Sequence, residues 1–365
     1  MHTDLEEILL SEIAYKGFEI DKLFFDKREV VDQIKLFLAS NMNAPQNLDG
    51  EKVLKAIAVQ QGILVERLQD IFSFSHLTLQ EYLTAQYIED NRQSQLENLV
   101  TRHLTDRRWK EVFLLVAGLM RGGADNLLLL MEKEAQNYIN SPRLQDLLRW
   151  VERATSGSEG NFKPVGKRAI TIAIAIAYAN PNAIAIANPN ANPIANANAY
   201  VYAYAYAYAY ANPIAIANAY TYTYANAYAY AYAYTDAIAI ALTNAYGNAI
   251  TKAINLARYL EEIKIFKAVD STRWIARLKE LKVKIPNNQE PIQVRRKFVN
   301  RIHQTCLAAL ALSPDLLNLS QEQVEAWGNY LYANKLMLQC KEAAVRVSPE
   351  TWNAIEGRML LINGD

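Results

Sequence analysis

The sequence predicts a mainly α-helical protein of more than one domain, and three observations carry that expectation. Both flanks show apolar residues at helical spacing behind recognisable start signals. Strand-like text outside the centre is confined to two short runs between residues 63 and 74. The 365 residues also exceed what one hydrophobic core ordinarily holds.

The elements follow in chain order. Helical text runs from Glu29 to Leu38 and from Glu51 to Gln60. Next come Ile63-Leu64-Val65-Glu66-Arg67, a turn near Gln69-Asp70, and Ile71-Phe72-Ser73-Phe74. Two short strands after helices are the order of a winged helix. A DNA reader would send the helix before the wing into the major groove with basic or amide side chains. Here that helix offers only Lys52 and Lys55 against Glu51, so the module is read as one that contacts protein. Farther on, Ser141-Pro142, Ser313-Pro314 and Ser348-Pro349 each set a capping serine before proline at the first helical position. Thr78-Leu79-Gln80-Glu81 and Ser320-Gln321-Glu322-Gln323 have capping-box spacing. Behind these signals lie helices over Trp109 to Met120, ended by Gly118, Gly122 and Gly123, over Leu144 to Val151, and over Trp352 to Leu361. Ala154 to Pro164 reads as a linker, and Ile285 to Pro291 as a loop.

The centre differs in kind. From Ala169 to Thr251 the only charged residue is Asp236, and fifteen of the 22 tyrosines lie there, alternating with small residues in a two-residue repeat. Period two is a strand signature, and Tyr and Ile favour strands. Alanine fills about half the block and favours helix. A two-residue step turns about 200° on a helix, so the large side chains spread around the whole circumference. The Asn-Pro steps at 180–181, 188–189, 192–193 and 212–213 interrupt either structure. Helices are favoured over stacked strands or a solenoid. The expected division is a winged-helix-like domain over 1–77, a helical domain over 78–153, a linker over 154–168, the alternating block over 169–251 and a C-terminal helical domain over 252–365.

Charge and composition narrow the function. Lys+Arg and Asp+Glu are 38 each, so no global field draws the chain to nucleic acid. The longest stretch free of Asn, Pro and charge, Ala199 to Ala211, is shorter than the roughly 20 residues of a spanning helix, which argues against a membrane role. Two cysteines, Cys306 and Cys340, and a start without a secretory pattern suggest a reduced, cytoplasmic protein.

Candidate chemistry is sparse. Gly160 to Arg168 superficially resembles a phosphate loop, but one residue too many separates the glycines, and Arg168 stands where magnesium would need Ser or Thr. His303 and Cys306 are spaced to share a helix face, yet no second ligand pair accompanies them. Neither cysteine nor any serine sits in a nucleophile motif, so no catalytic residue and no metal ligand is assigned. The expectation is a protein that is not an enzyme.

The residue that stands out is His76, within Phe72-Ser73-Phe74-Ser75-His76-Leu77-Thr78-Leu79-Gln80-Glu81-Tyr82-Leu83-Thr84-Ala85. This stretch resembles the end of the winged-helix domain in NACHT-type STAND NTPases, nucleotide-switched proteins that include animal inflammasome receptors. Leu10 to Phe18, Val53 to Ile57 and Gly62 to Arg67 are similar to the region following the NACHT module in cyanobacterial members. His103 to Phe113 resembles the succeeding helical domain, and Asn329 to Asn334 with Cys340 to Ser348 resembles the C-terminal end. The sequence holds no Walker A loop and no acidic magnesium motif after a strand, so the NACHT module is expected to be lacking from it. The resemblance implies that His76 contacts the β-phosphate of ADP when such a module is present. It also implies that ADP or ATP sits on that module and that no cofactor sits on this chain.

The leading expectation is therefore a non-catalytic regulatory and sensor region of a nucleotide-switched signalling or defence protein. Its partners would be proteins, including a NACHT module encoded separately, with no nucleic acid or membrane partner and with oligomerisation left open. The alternative is a binding scaffold whose Tyr/Asn-rich block presents the ligand or partner surface. The bland reading of His76 is that it packs or caps at the strand-helix junction.

Overall fold

The computed structural model describes residues 3–41, 48–178, 242–287 and 289–362. The fold is mostly helical with one small antiparallel sheet, as the sequence predicts. The chain divides into two compact units. One comprises 1–134 with 336–352, the other 135–335 with 353–365.

The first unit opens with helix α1 (Thr3–Glu19) and strand β1 (Phe25–Asp26), neither of which the sequence analysis assigned. Helix α2 (Lys27–Ser40) starts at Asp26, whose side chain accepts from the Arg28 amide, and α3 (Gly50–Ala56) starts at Asp49, which accepts from the Glu51 amide. A π-helical turn (Ile57–Gln61) follows α3 and ends at Gly62, whose φ of 64° suits glycine. Strands β2 (Leu64–Leu68) and β3 (Ile71–Phe74) then form the predicted hairpin, turning at Asp70.

Sheet order is β1-β3-β2, all antiparallel, with Phe25 opposite Phe72 and Leu64 opposite Phe74. The core beneath it joins Leu9, Leu10 and Ile13 of α1 to Ile34 of α2, Leu54 of α3 and Phe74 of β3. Phe25 and Phe74 meet edge to face at 5.9 Å. Helices, a hairpin and a third short strand make this a winged helix.

Helices α4 (Leu77–Asp90), α5 (Arg92–His103), α6 (Lys110–Leu119) and α7 (Asp125–Gln136) continue the chain, with a 3₁₀ turn at Arg107–Trp109 before α6. One start signal fails here. The helix expected behind a Thr78 capping box begins at Leu77, with His76 at the N-cap in extended conformation and Thr78 inside the first turn. The N-cap falls on His76, two residues after β3 ends, and Glu81 is buried on α4 instead of reaching back. The Asp125 carboxylate accepts from both the amide and the hydroxyl of Ser348, and the Ala124 amide donates to Arg346 O.

The second unit holds α8 (Pro142–Thr155), α9 (Pro164–Tyr178), α10 (Leu242–Ile263), α11 (Ser271–Val283), α12 (Ile292–Ala309) and the short α13 (Pro314–Leu317). Helices α14 (Gln321–Ala343) and α15 (Pro349–Arg358) each contribute residues to it. The serine signals hold. Ser141 caps α8, Ser313 caps α13 and Ser348 bonds the Thr351 amide. Ser320 and Gln323 make the reciprocal pair of a true capping box, at 3.2 and 3.0 Å. The predicted loop over 285–291 is held by Asn287 Oδ1, which accepts from the Gln289 and Glu290 amides.

Within the alternating block, residues 169–178 and 242–251 are helical. Val165, Ile170, Ile172 and Ile174 of α9 are all buried, as suits a helix apolar on every side. The helix-or-strand expectation for 179–241 lies outside the described residues. No described helix is long and apolar enough to cross a membrane.

Candidate functional site at the strand-helix corner

The corner between β3 and α4 is built from both sides. Before it, the Ser75 amide donates to Ile63 O at 2.8 Å, closing the base of the hairpin. After it, the Leu79 and Gln80 amides both reach back to His76 O, at 3.1 and 3.4 Å, so the first turn of α4 grows directly from the His76 carbonyl. The buried Gln80 donates through Nε2 to Lys22 O at 3.1 Å, which ties the start of α4 to the loop between α1 and β1. Gly17 permits this approach, because a Cβ there would lie 2.5 Å from Phe25 Cζ and 3.2 Å from Gln80 Nε2.

His76 is exposed at this corner and its ring makes no capping bond. The position normally goes to Ser, Thr, Asp or Asn, whose oxygen satisfies a first-turn amide. The open end of a helix favours anions through its amides and dipole, and an imidazole there adds a donor that strengthens when protonated. Leu77, beside it, is 52% exposed, and Leu23 and Phe24 of the α1–β1 loop are also exposed. The corner thus carries an exposed ring donor with the exposed Leu77 next to it in the chain. His76 occupies the N-cap position through its backbone, while its side chain is exposed and makes no cap bond.

A second cluster, which sequence reasoning missed, holds α1 to the α5–α6 turn. Trp109 is fully buried, stacked on His103 at 3.9 Å and edge-on to Phe18 at 4.9 Å. His103 Nε2 lies 3.2 Å from Glu19 Oε1, which also accepts from the Tyr15 hydroxyl at 2.8 Å. Burial lowers the His103 pKa below the usual histidine range, with Glu19 opposing. A histidine six residues before a tryptophan gives no hint of a stack in the sequence; only the tight turn between α5 and α6 folds one over the other.

The other sequence candidates resolve as follows. In the stretch from Gly160 to Arg168, the Gly160 amide donates to Lys264 O at 2.9 Å and Lys163 pairs with Glu356 at 3.0 Å. Lys167 Nζ donates to Ser158 O, and Arg168 Nη2 donates to the carbonyls of Glu356 and Gly357. Burial pushes the Arg168 pKa down to about 10. These cations serve packing of α9 and α15. Cys306 and Cys340 are buried, and burial pushes the Cys340 thiol up. Among the described residues no three His, Cys, Asp or Glu are grouped to hold a metal. Glu51, Lys52 and Lys55 are exposed, and Glu51 pairs with Lys27 at 3.5 Å. The Tyr/Asn surface of the alternative reading falls mostly on 179–241, outside the described residues.

Fold and corner together define a winged helix followed by helical domains. Residues 13–88 match the family model described as a winged helix-turn-helix domain C-terminal to NACHT, and residues 274–362 match NACHT C-terminal helical domain 2. The chain thus carries a C-terminal NACHT-associated region, as the sequence motifs indicated. No curated protein and no solved structure gives a significant match.

Proposed function

We propose that this chain is a non-catalytic regulatory and sensor region of a nucleotide-switched signalling or defence protein, and that it acts through protein-protein contacts. In this reading His76 contacts the β-phosphate of ADP bound to a NACHT module and so holds the inactive state. The observation that carries the proposal is the exposed His76 ring at the open N-terminus of α4, on a corner fixed from both sides and free of any capping role. The two NACHT-associated matches support it by flanking the chain with domains of that class.

The test is His76→Ala in the chain joined to a NACHT module. Loss of one charge-assisted phosphate bond costs about 1.5–3 kcal/mol, so ADP retention falls roughly ten- to a hundredfold and basal output rises. The melting temperature stays put, because the ring is exposed and makes no cap bond. Unchanged ADP retention, with or without a lower melting temperature, refutes the sensor role.

A further inference from the structure

The hairpin of the winged helix carries one residue too many on its first strand. Leu64, Val65 and Glu66 face Phe74, Ser73 and Phe72, while Leu68 faces Ile71, which leaves Arg67 as the extra residue of a β-bulge. A bulge re-aims the side chain it carries and sharpens the local twist. Arg67 accordingly turns back along β3. Its Nε donates to Ser73 Oγ and its Nη2 donates to Ser75 O, each at 3.0 Å. The Ser73 hydroxyl in turn donates a hydrogen bond to Phe74 O at 3.0 Å, and the Ser75 amide donates to Ile63 O.

Ser75 immediately precedes His76, so the guanidinium grips the very carbonyl whose carbon is bonded to the His76 nitrogen. That grip fixes the plane of the Ser75–His76 peptide, and with it the direction in which the imidazole leaves the corner. A planar guanidinium holds two acceptors in one geometry, whereas a lysine ammonium is a single point on a flexible stem. Arg67 is exposed, so its bonds add little to the core; what they order is the three residues leading into His76. The far end of this short route is the N-terminus of α4, where the Gln80 bond to Lys22 O completes the hold.

We propose that Arg67 is a positioning residue for His76, acting through Ser73 and Ser75 to present the imidazole to phosphate; this rests on the reading of His76 as the ADP contact. The experiment uses Arg67→Lys, which keeps the charge and removes the fork. In the full chain, exchange of the Ser75 amide, which donates to Ile63 O, rises about tenfold while the amides of α2 and the melting temperature are unchanged. In the chain joined to a NACHT module, Arg67→Lys weakens ADP retention about tenfold. The same change added to His76→Ala weakens it no further, because a residue that acts through His76 has nothing left to position. The assignment is overturned if exchange at the corner does not change, or if the two substitutions multiply in the double variant. A neutral His76→Ala is a different failure: it removes the nucleotide reading itself and this assignment with it. Effective His76→Ala beside neutral Arg67→Lys removes this assignment alone.

Discussion

Trp109→Ala is the sharpest perturbation of the first unit. The indole is fully buried, stacked on His103 and edge-on to Phe18, with Tyr15 also edge-on at 6.5 Å. Its Nε1 makes no hydrogen bond, so the cost is transfer, cavity and ring contacts alone. Truncating a buried tryptophan costs about 3–5 kcal/mol, a large part of the roughly 5–15 kcal/mol that holds a domain folded. At about 2–4 °C per kcal/mol, the transition falls by roughly 6–20 °C. The loss has a pH signature as well. Burial lowers the His103 pKa in the folded state, so between that value and the ordinary 6.5 the unfolded chain binds more protons. Stability is therefore full above pH 6.5 and declines as pH falls through the folded value. Removing the indole lets water reach His103, and the variant loses most of that slope. Urea titrations at several pH values between about 5 and 8 read both effects. A shift below about 1 kcal/mol, or a pH slope as steep as in the parent, refutes the stacked-latch account.

Gly160→Ala drives a Cβ into the Ile263 carbonyl oxygen, a backbone atom that cannot swing aside. It should destabilise the second unit by about 1–3 kcal/mol in thermal melts, and a neutral result would mean the α10 end relaxes. Ser320→Ala and Gln323→Ala each remove one half of the reciprocal cap on α14. Each costs about 1 kcal/mol, and the double variant costs about the sum, because each side chain accepts from the other residue's backbone amide, which alanine keeps. A single variant that costs nothing in equilibrium unfolding would count against the box.

What the sequence made legible follows the range of the physics involved. Local chemistry was readable: serine before proline at residues 141, 313 and 348, the Ser320–Gln323 spacing, the hairpin turning at Asp70, and Asn287 in its loop. Capping and turn bonds join residues two to four apart, so spacing encodes them. Helix α1 went unassigned although Leu9, Leu10, Ile13, Ala14 and Phe18 recur at helical spacing on one buried face; the exposed Ile8 outside that face blurs the stripe in the sequence. Strand β1 escaped because two residues carry no period; Phe25 is a strand only by pairing with Phe72 across the sheet. The Thr78 box failed because α4 starts one residue earlier, at Leu77, so the N-cap position falls on His76 and Glu81 is buried on the helix. At the candidate site, the sequence singles out His76 by its motif, whereas the bonds of Arg67 to Ser73 and Ser75 have no local signal. A bulge depends on the register between two strands, which no local pattern reports.

The helix starts themselves bear on the corner. Asp26, Asp49, Asp106, Ser141, Asp270 and Ser313 each turn a side-chain oxygen onto a first-turn amide. Where such a cap is missing, a local cause is visible in two cases: Pro291 has no oxygen to offer, and Asn91 bonds Tyr87 O at the end of the preceding helix. His76 has neither excuse. Serine or aspartate there would stabilise α4 by about 1 kcal/mol, and nothing in the packing excludes either, since the side chain stands in solvent. A sequence that follows the capping rule at eight other starts, Ser320 and Ser348 included, and forgoes it at an exposed corner is in keeping with the contact role proposed for His76, since departures from local rules concentrate at functional sites. Hence His76→Ser should raise the melting temperature by a small amount while abolishing the phosphate contact proposed for His76. A stabilised protein with a weakened nucleotide lock is the combination that a purely structural histidine would not produce.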